Sequence, residues 1–218
     1  MVAQPAALLG LEKTSLRQQA VAALRSAITS GALAPSSPLV ETELSEKLAI
    51  SRGTLREAMR QLQQEGLITA GPRGRLYVRH LDEKEIRDIF AVRAALESLA
   101  VRELAERTDR AELIPTLRRA LDAMARAEHS LDERIEADLD FHRALCRLTG
   151  NETLLHSWQS LEGSIRMSIM WAGLDKAVGN MDVGRHHAIV DAIETGDADE
   201  AAAAVRRHMK GAADNLVS

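Results

Sequence analysis

Four helix-start signals of one type punctuate this chain. Ser15 precedes Gln18, Asp82 precedes Glu85, Ser130 precedes Glu133 and Asp197 precedes Glu200. This is capping-box spacing: a short polar side chain accepts from the backbone three residues on, and a Glu or Gln there reaches back. Each pair opens a run with apolar residues at helical intervals, as Leu16, Ala20, Val21, Leu24 and Ile28 follow Ser15. Gly31, Gly66, Gly150 and Gly196 stand where runs stop, as befits a residue at ease in the left-handed conformation. A chain so written is committed to helices. Aromatic residues make up only 2% of its 218 positions, which argues against a β-sandwich. The apolar share of 45% and charged share of 28% suit a soluble protein with a real core.

Other classes are disfavoured. No apolar run approaches the ~20 residues of a membrane span. The first fourteen residues lack the basic start and apolar centre of a signal peptide and are expected to form a loose arm. The one cysteine, Cys146, has no disulfide partner in the chain, which fits a reducing, cytoplasmic setting.

Charge divides the chain. Residues 1–80 carry 10 Lys/Arg against 6 Asp/Glu, a balance of +4, whereas the remainder carries 18 against 26, a balance of −8. A basic head on an acidic body suggests that the head meets a polyanion. Within the head, the Ser15 helix ends near Gly31, "LAPSSP" reads as a turn, and a short helix spans about residues 42–48. "AIS" is a tight connection to a helix that Ser51 caps and Gly66 ends. "LIT" and "RLYV" flank "AGPRG", a hairpin signal with a basic tip. Three helices and a hairpin over residues 15–80 predict a winged helix-turn-helix.

The second helix of a helix-turn-helix enters the major groove with its N-terminal end leading. Ser51, Arg52, Gly53 and Thr54 occupy that end. Arg52, Arg56, Arg60 and Gln63 fall within an arc of about 80° on one face. Arginine grips guanine or phosphate with two bonds. Arg73 and Arg75, around Gly74, would serve a neighbouring groove. Alternatively the face is simply a solvated basic one, with Glu57 pairing Arg60.

Residues 81–218 read as an antiparallel all-α bundle of six helices, making the whole mainly α. Pro115 suits the first turn of its second helix, and "GLDKAVGN" reads as a loop before the fifth. Asp138 and His142 share one face of the third helix by their i, i+4 spacing. His186 leads the stripe Ile189, Val190 and Ile193, and His208 sits in the stripe Ala201, Ala204, Val205 and Ala212. Polar groups aimed at an apolar interior need partners. Each histidine could be an ordinary satisfied core residue. A single divalent ion would instead satisfy all four groups, and imidazole with carboxylate suits Zn or Ni, then Mn or Fe. His129, His156 and His187 lie off these stripes. Arg93 lies on the apolar stripe of the bundle's first helix, either paired with Glu97 at i+4 or held ready for a ligand carboxylate. Arg166 is a second candidate of that kind. Trp158, Trp171, Met167 and Met170 read as packing, with cavity lining as the alternative for some of them.

"GALAPSSPLVETELSEKLAISRGTLREAMRQLQQEGLITAGPRGRLYV" resembles the winged helix of the GntR family of bacterial transcription regulators. By that likeness Arg52 and Arg56 fall on DNA-contacting positions, with Ser51, Thr54 and Gly74 nearby. Thr42 stands where members often carry arginine, Gly53 where threonine is usual, and "PSS" replaces Pro-Gly, which bears on the operator sequence. "IFAVRAALESLAVRELAER", "ADLDFHRALCRLTGN" and "HHAIVDAIETGDADEAAAAVRRHM" resemble the FadR-type effector domain known as FCD. Many members hold a metal with one Asp and three His; these map onto Asp138, His142, His186 and His208, the His-x-x-Ile frame choosing His186 over His187. The resemblance implies a homodimer on a near-palindromic double-stranded operator. It also implies a repressor released when a small carboxylate binds at the metal and shifts the helices near "RHLDEKE". Two rivals stand beside it: a metal-dependent enzyme acting on a small organic acid, and a DNA-binding dimer whose metal is structural.

Overall fold

The computed structural model describes residues 15–127, 130–171 and 174–218. The expected arm, His129 and the side chain of Trp171 lie outside the described residues.

Helix α1 (Leu16–Thr29) starts at a complete capping box: Ser15 Oγ accepts from the Gln18 amide at 3.2 Å and Gln18 Oε1 accepts from the Ser15 amide at 2.8 Å. Helices α2 (Glu41–Lys47) and α3 (Arg52–Gln64) follow, and Ser51 caps α3. Ala49, between them, adopts φ 51°, a left-handed conformation unusual for a residue with a Cβ. Strands β1 (Ile68–Ala70) and β2 (Leu76–Val78) pair antiparallel, Thr69 opposite Tyr77, around a short 3-10 turn at Pro72–Gly74. The stretch expected as a plain turn does more. The Leu39 amide donates to Leu76 O at 2.8 Å and the Val78 amide to Ser37 O at 3.0 Å, so residues 36–39 line the free edge of β2. Leu24, Ile28, Leu55, Met59, Leu62, Leu67 and Val78 close the core of this winged helix-turn-helix.

The bundle is built around α4 (Glu83–Glu106), which begins at the second complete capping box, Asp82 with Glu85. It packs against α6 (Leu131–Leu148), α7 (Glu152–Trp171), α9 (Val183–Thr195) and most extensively α10 (Ala198–Val217). Arg87–Asp214 and Arg102–Asp199 pairs clamp α4 to α10. Helix α5 (Arg110–Arg126) covers α6 and α9.

Three local expectations are corrected. α5 begins at Arg110, so Pro115 lies inside it and not in its first turn; buried Ile114 and Leu117 on either side of that proline hold the helix in place. Residues 174–180, expected as loop, form α8 (Leu174–Asn180) beside the six longer helices. α10 holds it: Asn180 Nδ2 donates to Ala212 O at 3.0 Å and Asn215 Nδ2 to Lys176 O at 2.9 Å. Ser130 and Asp197 cap α6 and α10 only one way; the Glu200 side chain turns to Arg207 instead.

Head and body meet at the end of α3. Arg25 donates from Nε and Nη2 to the Glu65 carboxylate. The Glu65 backbone carbonyl lies against Gly163 of α7, so close that a Cβ there would stand 1.6 Å from the oxygen. Only glycine permits that approach. Arg79 donates to Ser164 Oγ at 2.8 Å and pairs with Glu85, tying the wing's end to α7 and α4. A polar cavity of about 320 Å³ opens between Arg25, Glu65, Glu136, Glu162 and Arg166.

Candidate metal centre and nucleic-acid interface

The leading end of α3 carries no acidic residue in its first turn, whereas α2, α4, α6 and α10 all do. Its unpaired backbone amides therefore present positive potential to an approaching phosphate. Ser51 Oγ accepts from the Thr54 amide at 3.1 Å and also bonds Thr54 Oγ1 at 2.9 Å, so both hydroxyls shape this end of the helix. Arg52 is exposed. Arg56 reaches Glu41 of α2 at 2.8 Å, and Arg60 pairs with Glu57 at 2.6 Å. Such surface pairs are weak and yield readily to phosphate. On the wing, Arg73 (φ 61°) and Gly74 (φ 72°) are both left-handed, which folds the tip tightly and leaves Arg73 and Arg75 exposed. Among the described residues, Arg52, Arg73 and Arg75 have no carboxylate partner. The basic groups thus divide into three unpaired guanidiniums and two held by glutamates.

Asp138, His142, His186 and His208 are brought together inside the bundle, at 3%, 0%, 0% and 7% exposure. Candidate ligand atoms of the three histidines lie within 4.8 Å of one another. Asp138 stands at one side of this trio: its Oδ1 is 3.0 Å from His186 Nε2 and 3.9 Å from His142 Nε2, and its Oδ2 is 3.8 Å from Arg93 Nη2. His156 and His187 are exposed.

The outer hydrogen bonds set the chemistry of this centre. His186 Nδ1 bonds Asp182 O at 2.8 Å. A carbonyl can only accept, so Nδ1 carries the proton, and in the neutral ring Nε2 presents a lone pair. His142 Nδ1 lies 2.6 Å from Glu97 Oε2, and the same argument exposes a lone pair on its Nε2. Yet His142 Nε2 and His186 Nε2 are 3.2 Å apart. With both rings neutral, two lone pairs and a carboxylate oxygen converge there. Among the described residues, His208 Nδ1 is buried without a hydrogen-bond partner. This arrangement is unfavourable by itself and is what a cation would resolve. Nitrogen and oxygen ligands at ~2.0–2.2 Å from a tetrahedral ion stand roughly 3.3–3.6 Å apart; the His142–His186 and His186–Asp138 spacings of 3.2 and 3.0 Å are near this, and the His142–Asp138 spacing of 3.9 Å is longer.

Burial holds His142 well below the ordinary imidazole range, and Arg93 nearby adds to the effect. His208 is depressed likewise by burial and then by its histidine neighbours. For Asp138, burial pushes upward, but His142, His186 and Arg93 outweigh it and hold the carboxyl below its usual range. All three are thus kept in ligating form. Burial pushes the Cys146 thiol up, so it stays protonated and inert.

Arg93 is 2% exposed and its Nε donates to Glu97 at 2.7 Å, while its Nη2 has no hydrogen-bond partner. It lines a cavity of about 10 Å³ with Asp138, His208, Phe90 and Asn180. That space fits roughly one water. Arg166 is paired with Glu136 and lines the head–body cavity, so it is not brought to the histidines. Trp158 is fully buried and donates from Nε1 to Glu97 at 2.8 Å. Glu97 was readable as Arg93's partner from its i+4 spacing. Its bonds to His142 and Trp158 depend on how α4, α6 and α7 pack.

A winged helix with free basic groups, joined to a helical body with a buried polar centre, defines a DNA-binding transcriptional regulator. Residues 16–78 match the family model described as "Bacterial regulatory proteins, gntR family", and residues 88–211 match that of the FCD domain. The chain belongs to the GntR family of bacterial transcriptional regulators, with an FCD domain as its helical body. A protein of Paenarthrobacter nicotinovorans, named "Probable D-xylose utilization operon transcriptional repressor", is 30% identical over 91% of this chain and 88% of its own. The Nta operon transcriptional regulator of Aminobacter aminovorans is 30% identical over 84% and 86%. Among solved structures, a GntR-type regulator from Rhodococcus sp. RHA1 has the same fold at a TM-score of 0.73 and 22% identity, covering 92% of this chain and 97% of its own. E. coli McbR/YncC does so at 0.71 and 20%, covering 94% and 98%.

Proposed function

We propose that this regulator is a homodimeric repressor whose grip on a near-palindromic operator is governed by a small carboxylate bound in the helical body. The DNA-reading set is Ser51, Arg52, Thr54 and Arg56 on α3, with Arg73, Gly74 and Arg75 on the wing. The division of labour falls near residue 80, with the metal, effector and dimer functions in residues 81–218. Repression is supported by the name of the Paenarthrobacter relative. Dimerisation is supported by Val92 and Leu99, two turns apart on α4 and 51% and 45% exposed.

One observation carries the sensing half: His142 Nε2, His186 Nε2 and the Asp138 carboxylate meet at a buried point, with His142 and His186 3.2 Å apart and Asp138 3.0 Å from His186. Asp138, His142, His186 and His208 would hold a divalent cation there, Zn or Ni before Mn or Fe by ligand type. When bound, that ion supplies open coordination positions for a carboxylate oxygen. Arg93, with its spare Nη2, provides a second charge for the same ligand. The cavity beside them is too small for an organic acid, so binding requires the surrounding helices to part. α7 would carry such a movement to DNA, because it touches Glu97 through Trp158 and the end of α3 through Gly163. The effector can alter affinity only by preferring one arrangement of these helices.

The test uses the purified chain. Elemental analysis reads the metal. Operator DNA selected from random sequence, titrated with a panel of small mono- and dicarboxylates, reads the effector. A change of roughly 5–150-fold in operator affinity is expected for the correct acid. Bound metal with unchanged affinity across the panel would favour the structural-metal alternative.

A further inference from the structure

We infer that Glu97 is the positioning residue of the metal centre: it dictates which nitrogen of His142 carries the proton, and so keeps Nε2 free to ligate. The inference rests on the metal reading above.

Glu97 is fully buried on α4 and collects three groups. Oε1 accepts from Arg93 Nε at 2.7 Å and from Trp158 Nε1 at 2.8 Å. Oε2 faces His142 Nδ1 at 2.6 Å. The simplest alternative is that Glu97 only neutralises Arg93. Geometry argues for more. The Arg93 and Trp158 donors converge on one oxygen, so the other is reserved for His142. Arg and indole N–H groups are obligate donors. They hold the carboxylate's orientation, and the carboxylate in turn requires a proton on Nδ1. A ligating histidine whose other ring nitrogen donates to a carboxylate has its tautomer and ring orientation fixed. Asp182 O serves His186 in the same way. Here the carboxylate comes from a different helix, and Trp158 links its orientation to α7.

The asymmetry gives a sharp test. In Glu97→Gln the two obligate donors claim the amide oxygen, which leaves the NH₂ facing His142 Nδ1. The imidazole must then accept at Nδ1 and carry its proton on Nε2, where the cation belongs. Zn²⁺ affinity of the full chain is measured by competition with a chromophoric chelator. Long-range ¹H–¹⁵N NMR of the metal-free protein reads the His142 tautomer. Wild type is expected to show the Nδ1–H form. Glu97→Gln is expected to show the Nε2–H form and to bind Zn²⁺ on the order of 10–100-fold more weakly. Trp158→Phe removes one donor but leaves Oε2 on His142, so its tautomer should match wild type.

An Nε2–H form in wild type would overturn the inference, even if no Glu97 variant folds. Wild-type zinc affinity in a folded Glu97→Gln would also overturn it while leaving the metal reading intact. Failure of wild type to bind zinc would sink the metal reading itself and the purpose assigned to Glu97.

Discussion

Glu65 and Gly163 are in backbone contact: the carbonyl ending α3 occupies the space where a side chain at position 163 would begin. Substituting Gly163→Ala must therefore move the recognition helix or α7. We expect a loss of about 1–3 kcal/mol in denaturant unfolding and an altered operator affinity. Gly179→Ala is the control, since its Cβ would meet only Asn215 Nδ2 at 3.6 Å. Helix propensity there predicts a gain of up to ~1 kcal/mol. Equal effects at both sites would show that the α3–α7 contact is unimportant.

Arg52 has no carboxylate partner among the described residues and stands at the leading end of α3. Arg52→Ala should weaken operator binding by about 1–3 kcal/mol if it reads a base, or lower the salt slope by about one if it holds a phosphate. Fluorescence anisotropy at several salt concentrations separates the two. Arg118→Ala, in the body and paired with Glu194, should leave both quantities alone. Unchanged affinity on loss of Arg52 would remove it from the DNA-reading set.

Much of this was legible beforehand, and the misses share a cause. Capping pairs, glycine stops and stripes are local, so the helices followed, as did the inward placement of Asp138, His142, His186 and His208. α8 was missed because its stability comes from Asn180 and Asn215 bonding across to and from α10, which no local pattern records. The strand-like edge at residues 36–39 likewise exists only beside β2. Arg166 looked like a ligand clamp because arginine on an inward face is costly. Its partner Glu136, from α6, lies thirty positions earlier and could not be read from spacing.

Acid should destabilise the metal-free protein. His142 and His208 are neutral when folded, with proton affinity depressed by burial. The unfolded chain takes up protons below pH ~6.5. The stabilisation is complete above that pH and is lost progressively as pH falls toward the depressed folded values. Between pH 7.5 and 5.5 the two histidines together should cost on the order of 1–3 kcal/mol. Chemical denaturation at both pH values checks this, and the double variant His142→Asn, His208→Asn should lose most of the dependence. A stability that rises on acidification would contradict the burial argument.

Ala49 turns the chain between α2 and α3 with φ 51°. A side chain there costs roughly 1–2 kcal/mol, partly offset by the entropy glycine would lose on folding. Ala49→Gly should thus raise the denaturation midpoint by up to ~1 kcal/mol of stability. A lower midpoint would mean that the methyl group's packing outweighs the strain.

Between β2 and α4 the chain has only residues 79–82, and three of the four are held in place. The Arg79 amide bonds Leu67 O, its guanidinium grips Ser164, Leu81 is buried, and Asp82 caps the next helix. The DNA reader therefore has no swivel. In relaxation experiments its amides should report the same rotational diffusion as those of the helical bundle, one particle tumbling at one rate. In the dimer proposed above, any adjustment to half-site spacing must then come from the seam between subunits or from bending of the duplex.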